Sequence, residues 1–144
     1  MSDDCFTRNR VILCHFDSYS TALVFARYGA SILAPEPLPE GAAALAAPAE
    51  AGAEYDPATA LQTLVTRYGL DASSLKLEPG FQEWAGDAAA PIRIHLARFT
   101  TFEAPRDAME PNGAVFKPIS EMRGLPAAEL NFLRRVFNLI MGGS

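Results

Sequence analysis

The amino-acid sequence predicts an α/β (α+β) domain in which helices cover a mixed β-sheet. Three observations carry that expectation. Short apolar or alternating runs bounded by Gly, Pro, Asp and Ser have strand periodicity. Two separated segments repeat apolar residues at helical spacing. The order of these segments (hairpin, loop, helix, several strands, helix) is one that layers helices on a sheet. The chain has 144 residues, 49% hydrophobic and 20% charged, the size and composition of a single globular domain over residues 1–144.

Residues 10–16, RVILCHF, form a short apolar run and predict a buried strand. A turn cluster at 17–20 follows, and then TALVFAR at 21–27, stopped by Gly29, gives the second strand of a hairpin. Ser31-Ile32-Leu33 is a further short strand. Residues 34–55 change character, with Pro35, Pro37, Pro39, Pro48 and long alanine runs. Proline blocks regular pairing, so this stretch reads as a long acidic surface loop, with alanines able to form a helical turn between 40 and 47.

A helix starts at Asp56. Asp suits the N-cap and Pro57 the first helical position. Leu61, Leu64, Val65 and Tyr68 fall on one stripe, and Gly69 supplies the stop. Leu75-Lys76-Leu77 alternates as a strand, and Glu78-Pro79-Gly80 turns. Residues 81–84 form a strand and 85–91 a loop. The longest strand, 92–102, sets Ile92, Ile94 and Leu96 on one face and Arg93, His95 and Ala97 on the other. An apparent change of phase before Phe99 suggests a bulge near Ala97 or Arg98. Residues 103–113 read as a polar loop and Val115-Phe116 as a short strand. After a brief turn capped by Ser120, a final helix runs from Pro126 to Met141. Its stripe is Leu130, Leu133, Phe137, Ile140 and Met141, with Arg134 and Arg135 in solvent.

The net charge is -5, which argues against a nucleic-acid-binding surface, because phosphate neutralisation needs clustered Lys and Arg. Its distribution is uneven. Between Arg27 and Arg67 there is no basic residue, and Glu36, Glu40, Glu50, Glu54 and Asp56 all fall there. No segment approaches the roughly 18 apolar residues of a spanning helix, so no membrane partner is expected. The acidic N-terminus lacks a signal pattern, and the expected location is the cytoplasm. Two cysteines make no disulfide framework. Cys5, Cys14, His15 and His95 share no zinc-ligand spacing, and Cys14 reads as a small core residue.

Four words, TALVFARYG at 21–29, ILAPEPLPEG at 32–41, TALQTLVTRYGL at 59–70 and FKPISEMRGL at 116–125, together with the order of elements, resemble the Nudix hydrolase family over about residues 10–140. The resemblance implies an α/β/α sandwich with a mixed sheet. The family signature is G-x5-E-x7-R-E-U-x-E-E-x-G-U, where U is bulky and aliphatic. With its last two positions on Gly69 and Leu70, Leu64 and Glu54 fit, whereas Pro48 stands at the opening glycine. Gln62, Thr63, Thr66 and Arg67 stand where the family carries R-E and E-E. Those glutamates hold Mg²⁺ in the family, and a hard cation needs oxygen ligands that Arg67 cannot supply. The frame is kept and the ligand set is lost.

The expectation is therefore a non-catalytic Nudix-like domain that binds a nucleotide-like small ligand or a protein partner, with no cofactor. Candidate ligand-binding residues are Arg27, Arg67, Trp84, Arg93 and His95. Arg27, Arg93 and Arg98 make an anion pocket if they face inward, and are merely solvated if they face outward. Trp84 is either a base-stacking platform or a rim or core residue. His95 is either a general base or a histidine on a half-exposed sheet face. The alternative function is a divergent Mg²⁺-dependent hydrolase of nucleoside diphosphate-type substrates, with Glu50, Glu54, Glu78 or Glu83 as relocated ligands. Against this, Glu50, Glu54 and Asp56 also read as a solvated loop plus a cap. A third reading is a homodimeric assembly module paired through the apolar C-terminal helix.

Overall fold

The computed structural model of the chain describes residues 6–17, 19–39, 41–46, 48, 52–87 and 89–141. Glu50, Cys5 and the turn position Ser18 lie outside the described residues. In chain order the elements are β1 (Asn9–Asp17), β2 (Ala22–Arg27), β3 (Leu33–Ala34), β4 (Ala43–Leu45), α1 (Pro57–Tyr68), β5 (Leu75–Leu77), β6 (Glu83–Asp87), β7 (Ala90–Phe99), α2 (Arg106–Met109), β8 (Val115–Pro118) and α3 (Ala127–Met141). The strands form one sheet in the order β4-β6-β7-β1-β2-β8. β3 lies beside β2 along one edge of β1, and β5 lies beside β6 along the outer edge of β7. β1 and β7 run parallel, and the other pairs are antiparallel. The sheet is therefore mixed, and the fold is α+β. Among the described residues no helix is long and apolar enough to cross a membrane.

Alternation along the central strands divides the core into two layers. Ile12, Cys14, Phe25, Ile94 and Leu96 pack on one face against Phe132, Leu133 and Val136 of α3. Val11, Leu13, Ala26, Ala97 and Phe99 pack on the other against Ala60, Leu64 and Val65 of α1. With a helix on each face, β1 and β7 are buried on both sides.

That double burial corrects one expectation. β7 pairs with β1 without interruption from Asn9↔Arg93 to His15↔Phe99, so there is no bulge at Ala97 or Arg98. Phe99 shares the face of His95 and Ala97, and the apparent change of phase arose because both faces are apolar.

Four further corrections follow from pairing and burial. Ala43–Leu45 is a strand and not a helical turn, because it pairs with β6 from Ala43↔Gly86 to Leu45↔Trp84, and tertiary pairing overrides alanine's helix preference. Within the segment 85–91, expected as a loop, residues 85–87 belong to β6 and residues 90–91 to β7, paired up to Asp87↔Ala90. Gly86 sits there at φ +100, and a Cβ would meet the Ala90 carbonyl at 2.8 Å. Residues 103–113 hold α2 and a 3-10 turn at Glu110–Asn112, anchored by the fully buried Met109. Finally, the buried face of α3 is Glu129, Phe132, Leu133 and Val136, while Phe137 is exposed. The spacing i, i+3, i+4, i+7 is intact, but its first member is a carboxylate. Leu130, Ile140 and Met141 flank the face, half-buried.

α1 forms as its local sequence dictates. The Asp56 carboxylate accepts from Thr59 N at 2.9 Å and from Thr59 Oγ1 at 2.8 Å. At the other end Gly69 takes the left-handed conformation at φ 69 and returns its N–H to the Val65 carbonyl. Asp56→Ala removes the cap and is expected to lower unfolding free energy by about 1 kcal/mol, read as a shift in urea midpoint. Asp56→Asn keeps the acceptor and should shift it far less.

Candidate functional site

The sheet leaves one gap that positions a site. β6 pairs with β7 as far as Glu83↔Ile94, and β5 pairs with it from Leu77↔Ala97. Between them, at His95 and Leu96, Glu78 N donates to the Leu96 carbonyl at 2.9 Å, the one backbone bridge to this edge of β7 among the described residues. A cleft of about 280 Å³ opens there, lined by Asp56, Pro57 and Ala58 from the start of α1, by Leu77, Glu78, Pro79 and Phe81, and by Arg93, His95 and Leu96. The lining is mostly apolar with a few convergent polar groups, the usual make-up of a small-molecule site.

His95 is buried, not half-exposed as expected, because the start of α1 and the preceding turn cover this face. Its Nε2 lies 2.7 Å from Asn9 Oδ1. The Asn9 amide nitrogen donates to the Glu54 carbonyl at 2.8 Å, which turns Oδ1 toward the histidine. An acceptor at that position requires Nε2 to carry the proton, so Nδ1 holds the lone pair. Burial, reinforced by the Arg93 charge and opposed by Asp56, pulls the His95 pKa from the ordinary 6.5 to about 4. The ring is therefore neutral at physiological pH.

Arg93 is half-buried beside it, two residues along the same face. Its guanidinium carbon lies 5.8 Å from the Trp84 ring centre, and Nη1 donates to the Tyr55 carbonyl at 3.4 Å. Its Nε is buried with no hydrogen-bond partner. Among the described residues it makes no ion pair. Burial lowers its pKa, opposed by the charge of Asp56. The Asp56 carboxyl is held below the usual carboxylate range by the Thr59 hydroxyl and N–H.

The other candidates are dispersed. Trp84 is buried, with Tyr55 edge-on at 4.7 Å and Arg93 over it; it does not line the cleft, and its contact with the site is through Arg93. Arg27 and Arg98 lie on the α3 face of the sheet, opposite Arg93, so the three arginines form no common pocket. Arg27 donates to the carbonyls of Gly29, Glu121 and Arg123, and Arg98 pairs with Glu78 at 3.2 Å. Glu83 pairs with Arg135 at 3.3 Å, and burial raises its pKa against that partner. Glu78 and Glu83 thus engage separate arginines. Glu54 is exposed, and its backbone carbonyl, rather than its carboxylate, enters the network.

On α1, Thr63 Oγ1 donates to the Thr59 carbonyl at 2.8 Å and Gln62 Nε2 to Thr66 Oγ1 at 3.4 Å. Arg67 is exposed in the last turn, away from the cleft. Gln62, Thr63, Thr66 and Arg67 thus offer neutral oxygens and a cation in place of carboxylates, the side chains Mg²⁺ favours. Among the described residues no three His, Cys, Asp or Glu side chains gather as a metal site. Sequence reasoning identified Arg93 and His95 but missed Asn9 and the apolar walls Pro57, Leu77 and Phe81. A single Asn opening an apolar strand was the one available signal.

No protein-family model and no curated protein matches this chain.

Proposed function

We propose that this chain is a non-catalytic domain that binds a nucleotide-like small ligand in the cleft between the start of α1 and β7. The observation that carries the reading is Arg93, a half-buried cation lining an apolar cleft, which among the described residues has one long hydrogen bond, an unpartnered Nε and no ion pair. A half-buried guanidinium gains most from an oxyanion that accepts from its fork of donors. The neutral His95 beside it adds an acceptor. The resemblance of α1 and its flanks to the Nudix pattern supports the nucleotide-like class. The replacement of that pattern's glutamates by Thr63, Thr66 and Arg67, and of its arginine by Gln62, supports binding without hydrolysis.

The test joins calorimetry with a turnover assay. Mononucleotides and nucleoside diphosphate derivatives are titrated into the full chain, then incubated with it in Mg²⁺ or Mn²⁺. The expected result is saturable binding of at least one nucleotide-like probe, with no product from the diphosphates above the protein-free control. Metal-dependent turnover abolished by Glu54→Gln would overturn the reading in favour of a hydrolase with relocated carboxylates.

A further inference from the structure

Resting on that reading, we infer that the cleft selects a flat heterocycle carrying one singly charged oxyanion next to a ring N–H, and rejects the multiply charged diphosphates. Three features converge on this class. The first is charge. Among the described residues Arg93 is the one cation lining the cleft, and Asp56 and Glu78 line it as well. Glu78 is already paired with Arg98 and Asp56 already caps α1. One negative charge matches Arg93, whereas a second or third faces two carboxylates across a small apolar space.

The second is the order of donors and acceptors. Arg93 and His95 are alternate residues on one strand face, so their Cα atoms are separated by roughly 7 Å at strand rise. Arg93 offers donors. His95, with Nε2 committed to Asn9 Oδ1, offers the lone pair of Nδ1. A ligand spanning the two presents acceptor oxygens to the first and an N–H to the second. Burial and the Arg93 charge keep that lone pair available at neutral pH.

The third is space. At about 280 Å³, the cleft lies at the small end of ligand sites, which run from roughly 300 to 1,000 Å³. Pro57, Leu77 and Phe81 give it walls suited to a ring.

Orotate holds its carboxylate beside a ring N–H, whereas a cyclic mononucleotide holds its single charge on the sugar, away from the ring. Orotate, a cyclic mononucleotide, uracil and UDP are titrated into the full chain and followed by calorimetry and ligand-observed NMR. The expected result is that orotate binds at least tenfold tighter than uracil, than UDP and than the cyclic mononucleotide; a cyclic mononucleotide binding as tightly as orotate would overturn the placement of the anion beside the ring N–H. Arg93→Gln should remove that preference, so that orotate and uracil bind the variant with affinities within about threefold of each other. Arg93→Lys, which keeps the charge without the fork, should lose part of it. Matching amide NMR spectra and melting temperatures establish that the variants are folded. If UDP binds as tightly as the monoanions, the selectivity inference fails and the binding function stands. If no probe binds, both fail.

Discussion

Glu129→Ala is expected to destabilise the domain by about 3 to 4 kcal/mol, whereas Glu129→Gln should cost about 1 kcal/mol or less. Glu129 sits on the buried face of α3 at 1% exposure. Its Oε1 accepts from Ile32 N at 2.7 Å and its Oε2 from Ser31 Oγ at 2.9 Å, while Ser31 Oγ accepts from Leu33 N at 3.1 Å. One side chain thus joins the last helix to the segment entering β3. Burial raises its pKa, and those two hydrogen bonds and the Arg27 charge oppose the rise. Alanine strands two buried donors, at about 1 to 3 kcal/mol each, and opens a cavity beside Phe132 and Leu133. The relief of a desolvated carboxylate offsets part of this. Glutamine can keep both contacts. Its oxygen takes the Ile32 N–H, and its amide donates to Ser31 Oγ once the hydroxyl proton rotates away. Urea midpoints at neutral pH measure the difference. Equal losses for the two variants would show that the negative charge, rather than the hydrogen-bond geometry, holds the contact.

The same residue explains why α3 was only partly legible. Its existence and limits follow from apolar spacing, but a charged residue at 129 made the stripe through Leu130 and Phe137 look more natural. Only the partner at Ile32, 97 residues away, turns the helix. β4 was illegible for a related reason. Three residues of Ala-Ala-Leu carry no strand signal of their own, and pairing with β6 supplies it. α1 was legible because cap, proline, stripe and glycine all act within one turn of where they stand. At the site, strand alternation alone put Arg93 and His95 on one face. It could not show that Arg27 and Arg98 face the other layer, since that depends on which strands become neighbours. Nor could it show Asn9, 86 residues from the histidine it orients.

His95 should make the domain lose about 3 kcal/mol of stability as pH falls from 6.5 to 4. Its folded pKa of about 4 lies below the ordinary 6.5, so over that interval the unfolded chain binds the proton and the folded chain does not. The contribution is whole above pH 6.5 and is lost as pH falls toward 4. Arg93 deepens the shift and Asp56 opposes it, and Asn9 meets the ring nitrogen that is already protonated. The new proton must go on Nδ1, next to a half-buried guanidinium. Glu129 acts in the opposite sense. Its raised folded pKa gives stability that is present below the ordinary carboxylate range and lost as pH rises, so acidification strengthens it. Glu83 leans the same way. The clean comparison is therefore made in the Glu129→Gln background, with and without His95→Gln, by urea unfolding at pH 6.5, 5 and 4. With His95 present, the stability should fall steeply over this interval. With His95→Gln, whose amide takes up no proton and still reaches Asn9, the fall should shrink by most of the roughly 3 kcal/mol. Parallel losses in the two proteins would mean that His95 is solvated and charged in the folded state, and would remove the neutral acceptor on which the ligand preference of the cleft depends.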